Sequence, residues 1–218
     1  HLSYGTSFNT AGDAYQYDAG TVNVDPEKSR NIELGAKLDS ADGQFTTRTA
    51  LFHATKYNER NRDADTVNAC NYVLSGERHA AGLELDFAGR LGAQWEIYAS
   101  YAWIPVAEVD ASSGAAGTEP VGSRPGLTPR HSGTVWTTYQ ATQHWRFGGG
   151  LNARSADVPV GLPANSPIVA PHFVTADLMV EYAERDLNLK FNVTNVTDEH
   201  YADFLYRGHY TPGKPRTF

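Results

Sequence analysis

The sequence predicts an all-β fold, an antiparallel meander of membrane-spanning strands. Three observations carry this. Apolar and polar residues alternate with a period of two over many segments, short and long connections alternate without exception, and the apolar stripes carry no charge. Of 218 residues 40% are apolar, low for a helical membrane protein. No run of about 18 apolar residues occurs, so a transmembrane helix is excluded. Barrel strands alternate lipid-facing and lumen-facing residues, so an unremarkable mean hydropathy still admits them.

Taken in order, His1 to Phe8 reads as the end of one strand. Ile32, Leu34, Ala36 and Leu38 then oppose Glu33, Gly35 and Lys37. Segments 44–57 and 131–139 alternate more weakly. Ala81, Leu83, Leu85 and Phe87 share a face against Gly82, Glu84 and Asp86. Trp95, Ile97, Ala99, Tyr101 and Trp103 oppose Glu96, Tyr98, Ser100 and Ala102. Trp145, Phe147, Gly149, Leu151 and Ala153 oppose Arg146, Gly148, Gly150 and Asn152. Val174, Ala176, Leu178, Val180 and Tyr182 oppose Thr175, Asp177, Met179 and Glu181. Leu187, Leu189, Phe191 and Val193 oppose Asn188, Lys190 and Asn192, and Thr217–Phe218 starts a last strand. Such alternation marks strands whose faces meet different media. The expectation is about nine strands plus a truncated tenth.

Tight turns fall at 39–43, 89–93, 140–144 and 183–186, and long polar segments at 9–29, 58–77, 107–130, 154–171 and 197–215. Short turns at one end and long loops at the other are the layout of an outer-membrane barrel. Compact soluble domains seldom sustain five such loops. Trp95 and Trp103 bracket one apolar stripe, and Trp145 and Tyr182 sit beside short turns, as interfacial girdles require. A soluble β-sandwich with an apolar core face is the rival architecture.

The formal charge of −7 argues against a nucleic-acid partner, and no enzyme motif is present. The single cysteine, Cys70, has no partner in the chain for a disulfide and reads as an incidental loop residue. The eight histidines lack zinc spacing. Gly148-Gly149-Gly150 is no phosphate loop, because no Lys follows; it reads as strand positions that a neighbour approaches closely. Asn192-Val193-Thr194 and Asn195-Val196-Thr197 match a glycosylation pattern but end a strand and read as structural.

The long segments carry Arg60, Arg62, Arg78, Arg124, Arg130, Arg154 and Arg207, with Tyr57, Tyr72, Tyr201, Tyr206 and Tyr210 among them. Guanidinium beside phenol suits a planar anionic aromatic ligand, through charge and ring stacking. Ferric catecholates are such ligands. The candidate ligand-binding residues are Arg124, Arg130, Arg154, Arg207, Tyr206, Tyr210 and His209. Ordinary solvated loop charge is the plain alternative, since Glu59, Asp63 and Asp65 share these segments.

The C-terminal residues are more specific. Phe191-Asn192-Val193-Thr194-Asn195-Val196-Thr197-Asp198-Glu199-His200-Tyr201, followed by Tyr210-Thr211-Pro212-Gly213-Lys214-Pro215-Arg216-Thr217-Phe218, resembles the penultimate strand and last loop of TonB-dependent receptors. Pro26 to Lys37 and Ser123-Arg124-Pro125-Gly126-Leu127-Thr128-Pro129-Arg130-His131 are similar to two strand entries of that family, and Tyr4-Gly5-Thr6-Ser7-Phe8 fits too. The ordered set covers nearly the whole chain, and catecholate siderophore receptors are the subgroup it looks most like. The resemblance implies a 22-stranded transmembrane barrel filled by an N-terminal plug. Residues 1–218 would be the C-terminal part of that barrel, with the plug absent from this sequence. It implies the outer membrane of a Gram-negative bacterium, long loops outside, ferric siderophore as transported ligand with no resident cofactor, and energy from the TonB–ExbB–ExbD complex. Cobalamin, haem or a sugar as cargo, and a plug-less porin or adhesin, stay open. No signal peptide leads the sequence at His1. Ten strands would leave two unpaired edges in lipid, so the stretch alone is expected neither to insert stably nor to transport.

Overall fold

In the computed structural model, residues 1–9, 25–64, 72–115, 117–161, 168–205 and 208–218 are described. Cys70, Tyr206 and Arg207 lie outside them. Nine strands form one sheet: β1 (Leu2–Asn9), β2 (Glu27–Asp39), β3 (Phe45–Arg62), β4 (Tyr72–Leu91), β5 (Trp95–Ala111), β6 (His131–Gln140), β7 (Trp145–Arg154), β8 (Phe173–Glu184) and β9 (Leu187–Val193). Sheet order equals chain order, and every neighbouring pair is antiparallel.

Register turns the stripes into a continuous apolar face. Leu2, Leu34, Leu51, Leu83 and Trp103 form one row across five strands. Trp95, Tyr139, Phe147, Val180 and Phe191 form another. Among the described residues nothing covers this face: Leu34 is 59% exposed and Phe191 55%. Water would penalise so much apolar area, whereas hydrocarbon is its natural contact. The opposite face carries Glu33, Glu84, Asp86, Glu96, Asp177, Glu181 and Lys190. There Arg146 is paired with Glu181, whose other oxygen accepts from Asn188 Nδ2 at 3.0 Å.

The rows are staggered. Thr46, Ala88, Tyr98, Trp136, Gly150 and Asp177 share one row, which lies at the start of β3 yet mid-way along β8. Such stagger accompanies strands tilted to the axis of a barrel. Near the short turns, Trp145 packs on Tyr182 with ring centroids 4.9 Å apart, and Trp95 meets Tyr139 at 5.5 Å. The turns close with Gly43 and Gly92 at φ +68° and +71°, a region open to glycine without Cβ strain.

Two expectations change. β3 runs to Arg62 and β4 starts at Tyr72, so Arg60, Arg62 and Tyr72 stand on strands instead of in a loop over 58–77. Bulges at Lys56/Glu59 and Glu59/Arg60 bend this pair. Beyond the apolar band both faces meet water, so the ladder continues after the alternation fades. Likewise β5 reaches Ala111. The 197–215 segment contains a separate hairpin of β10 (Ala202–Leu205) and β11 (Tyr210–Pro212). The truncated last strand is represented by one bridge, Thr194 to Thr217.

The glycine run has the role its context suggests. On the polar face, a Cβ at Gly150 would lie 2.5 Å from Trp136 Cε3 and 2.6 Å from the Val135 carbonyl oxygen. At Gly149, on the apolar face, it would meet Leu178 at 3.4 Å, an ordinary contact. Gly150→Ala should therefore destabilise the full barrel by about 1–3 kcal/mol, while Gly149→Ala leaves it unchanged. Thermal unfolding of the intact protein in detergent, read as heat-modifiable gel migration, checks this contrast.

Candidate functional site at the long-loop end

Apart from Thr175, Met179 and Glu181 on the polar face of β8, the residues buried by protein gather beyond the long-loop end of the apolar face. Val109 is 2% exposed, Ala170 and Leu205 6%, and Pro159 is fully buried. Buried acids stitch this region. Glu119, in the 112–130 loop, accepts Gly126 N–H at 2.6 Å and pairs with Arg78 at 2.8 Å. Arg78 also binds Glu59 at 2.7 Å, Glu59 reaches Lys56 at 3.2 Å, and Lys56 reaches Glu27 at 3.4 Å. Glu27 in turn accepts the Arg60 N–H at 2.9 Å. One chain of charge thus joins β2, β3, β4 and the loop.

Asp157 holds the next junction. Its Oδ1 accepts N–H groups from Val158 at 2.8 Å and Thr128 at 3.2 Å, while its backbone bridges Ala170. Burial pushes its carboxyl above the ordinary range, against the pull of those two N–H groups. Leu127 N–H donates to Val158 O at 2.9 Å, so the 112–130 and 155–161 loops form one body.

The last loop is closed by Asn195, which is 3% exposed at φ +51°. Its Nδ2 donates to the carbonyls of Glu199 and Lys214, each at 2.9 Å, and its Oδ1 accepts the Glu199 N–H at 2.9 Å. Asp198 adds a clasp: Oδ1 accepts the Arg216 N–H at 2.9 Å and Oδ2 lies 3.6 Å from its guanidinium. That N–H bond, then the Arg216 charge, holds the Asp198 carboxyl below the ordinary range. Between this loop and 168–171 opens a cleft of about 330 Å³, lined by Ile168, Pro171, His200, Tyr201, Leu205 and Tyr210.

The candidate residues divide by geometry. Arg124 is turned onto its own backbone: Nε donates to Thr128 O at 2.8 Å, and Nη2 to Ile104 O at 2.7 Å and Pro129 O at 3.4 Å. Burial, then the neighbouring Arg130 charge, lowers its pKa from the usual value. Arg154 donates to Ala202 O at 2.7 Å and Asp203 O at 3.1 Å, and lies over the Phe173 ring at 5.1 Å. It therefore pins β10. Arg130 donates from Nη1 to Pro105 O at 3.0 Å and remains exposed. Tyr210, 61% exposed on β11, edges the cleft, with His209 beside it in sequence. Arg207 and Tyr206 fall outside the described residues. Sequence reasoning missed Glu119, Glu27 and Asp157, because a buried acid in a polar loop reads like a solvated one. Among the described residues, no group of three or more His, Cys, Asp or Glu side chains could hold a metal ion.

The model of the TonB dependent receptor-like β-barrel matches residues 1–196. The chain belongs to the TonB-dependent receptor β-barrel family. The metal-pseudopaline receptor CntO of Pseudomonas aeruginosa is 31% identical over 217 residues, which cover 96% of this chain and 30% of that protein. The catecholate siderophore receptor Fiu of Escherichia coli K12 is 28% identical over 226 residues, covering 98% of this chain and 28% of Fiu. The crystal structure of the siderophore receptor PiuA from Acinetobacter baumannii shares the fold, with a TM-score of 0.84 at 24% identity over 99% of this chain and 32% of that one. The chain thus spans about 30% of the length of the curated relatives it matches. It is part of the wall of an outer-membrane β-barrel.

Two outcomes follow for the last loop. Asn195→Ala removes three hydrogen bonds to backbone atoms and should loosen the last loop by about 2 kcal/mol, which faster limited proteolysis of the intact receptor would show. The depressed pKa of Asp198 means that its clasp is present at neutral pH and is lost as pH falls through a value below that of a free aspartate. A nitroxide placed at Thr211 should gain mobility across that acid window, and Asp198→Asn should abolish the pH step.

Proposed function

We propose that the whole protein is a TonB-dependent importer of ferric siderophores, and that residues 1–218 form the C-terminal part of its 22-stranded barrel. Its long loops face outward and TonB–ExbB–ExbD supplies the energy. Catecholate complexes are the cargo this reading favours. The observation that carries it is the placement of Arg130 and Tyr210, both exposed at the long-loop end above a lipid face without charge. A guanidinium and a phenol offered to solvent suit a planar, anionic, aromatic ligand. Fiu, named for catecholate siderophores, matches over nearly the whole chain. His209, exposed beside Tyr210, adds to that surface. In this reading Arg124 and Arg154 serve by holding loops in place, since their donors are committed to backbone carbonyls.

The 31% identity to a metal-pseudopaline receptor favours a second reading, in which the cargo is a metal chelate other than a ferric catecholate, bound through charge alone. The arginines would serve it equally, but the tyrosines would not.

In the complete receptor, replacing both Arg130 and Tyr210 by Ala should weaken ferric-catecholate binding about tenfold. Arg207→Ala should weaken it by a smaller factor. Equilibrium binding with ferric catecholate, ferric citrate, haem and cobalamin as competitors checks the cargo. Unchanged catecholate affinity in the double variant, or full displacement by haem or cobalamin, sinks the reading. Loss in the Arg130→Ala receptor alone, with Tyr210→Ala neutral, selects the second reading.

A further inference from the structure

The outward face holds a feature that ligand import does not use. A groove of about 380 Å³ crosses β2 to β5, lined on that face by Ile32, Leu34, Leu51, Leu83, Trp103 and Val106. It exists because the β4–β5 ladder skips between Ala81 and Leu83, opposite Trp103 and Val106, so two residues of β5 face one of β4. Small Ala81 forms part of its lining, with His53 at the upper edge.

Just beyond the groove, toward the long loops, the same face turns cationic on β2. Arg30 lies two residues past Ile32, and Lys28 two past Arg30, so period two puts both outward. Neither makes an ion pair or side-chain hydrogen bond with another described residue. In register beside Arg30 stand Thr55, 4% exposed with its hydroxyl unpartnered, and then His79. Acidic groups share the surface on the far side. Asp110 on β5 is taken by His79 at 2.7 Å, while Glu77 and Glu108 flank that pair. The positive end of the groove is therefore its β2 side.

We propose that this groove is a lipid site: it seats an acyl chain of a phosphorylated lipid of the outer leaflet, with phosphate on Lys28 and Arg30. An apolar trough level with the band, under two cations that no described residue pairs at the headgroup level, is complementary to an anionic amphiphile. A neutral lipid would leave the cations without counter-charge, and a soluble anion would leave the trough unfilled. The site rests on the outward orientation of the long loops and not on the identity of the cargo.

The probe is lipid A, which carries phosphates and acyl chains, doped into phosphatidylcholine nanodiscs containing the intact receptor. Native mass spectrometry counts the lipid A retained per barrel. One tightly held molecule is expected. Lys28→Gln with Arg30→Gln should lower its affinity about 25-fold, about fivefold per cation. Ala81→Trp, which fills the trough on a lipid-facing position, should also weaken it, whereas Arg30→Lys should retain it. Heat-modifiable migration confirms that each variant is folded. Retention unchanged in the double variant and in Ala81→Trp overturns the site, as does displacement by millimolar inorganic phosphate, which would mark a phosphate site without a lipid. Labelling of Gly208→Cys on intact cells tests the orientation separately. Failure to label would remove the outer leaflet as the source whatever the lipid count.

Discussion

Hydrocarbon offers no partner to a backbone N–H or C=O, and that single constraint orders this molecule. Each strand must bond along its whole membrane-crossing length to a neighbour, so sheet order follows chain order and every connection is a hairpin. The side chains then have one freedom left, which face they occupy, and period two assigns it. Leucines and most aromatics take the lipid side, and carboxylates with their Arg, Lys and Asn partners take the other, beside Tyr98 and Trp136.

Outside the band the rules reverse. The long loops are ordered by polar groups taken out of water rather than by apolar burial alone. Glu119 and Asp157 each hold backbone N–H groups, and Asn195 satisfies three backbone atoms from a left-handed position. Buried groups of this kind are costly when one partner is lost, which makes the loop body cooperative. Arg124 and Arg154 belong to that framework, so among the described candidates Arg130, His209 and Tyr210 are the exposed ones.

The barrel wall was legible in the sequence because its two media leave a strict signature. The stripes from Ile32 to Leu38 and from Trp95 to Trp103 read directly, and the four tight turns stand within a few residues of their expected places. The signature fails where both faces are wet. Arg60 and Arg78 stand on ladders that alternation could not reveal, and the β10–β11 hairpin left no periodic trace in four and three residues. The site was legible only as a composition of Arg and Tyr. Which arginine is offered to solvent depends on carbonyls brought in from elsewhere in the chain, such as Ile104 for Arg124 and Ala202 for Arg154.

The stagger of the rows makes the wall a screw. A strand that slid against its neighbour by one residue would turn its leucines inward and its carboxylates into lipid, so sliding is permitted only in two-residue steps that break the whole ladder. The wall therefore has no soft mode by which it could widen, and a molecule too large for the bore cannot force it open like a sleeve.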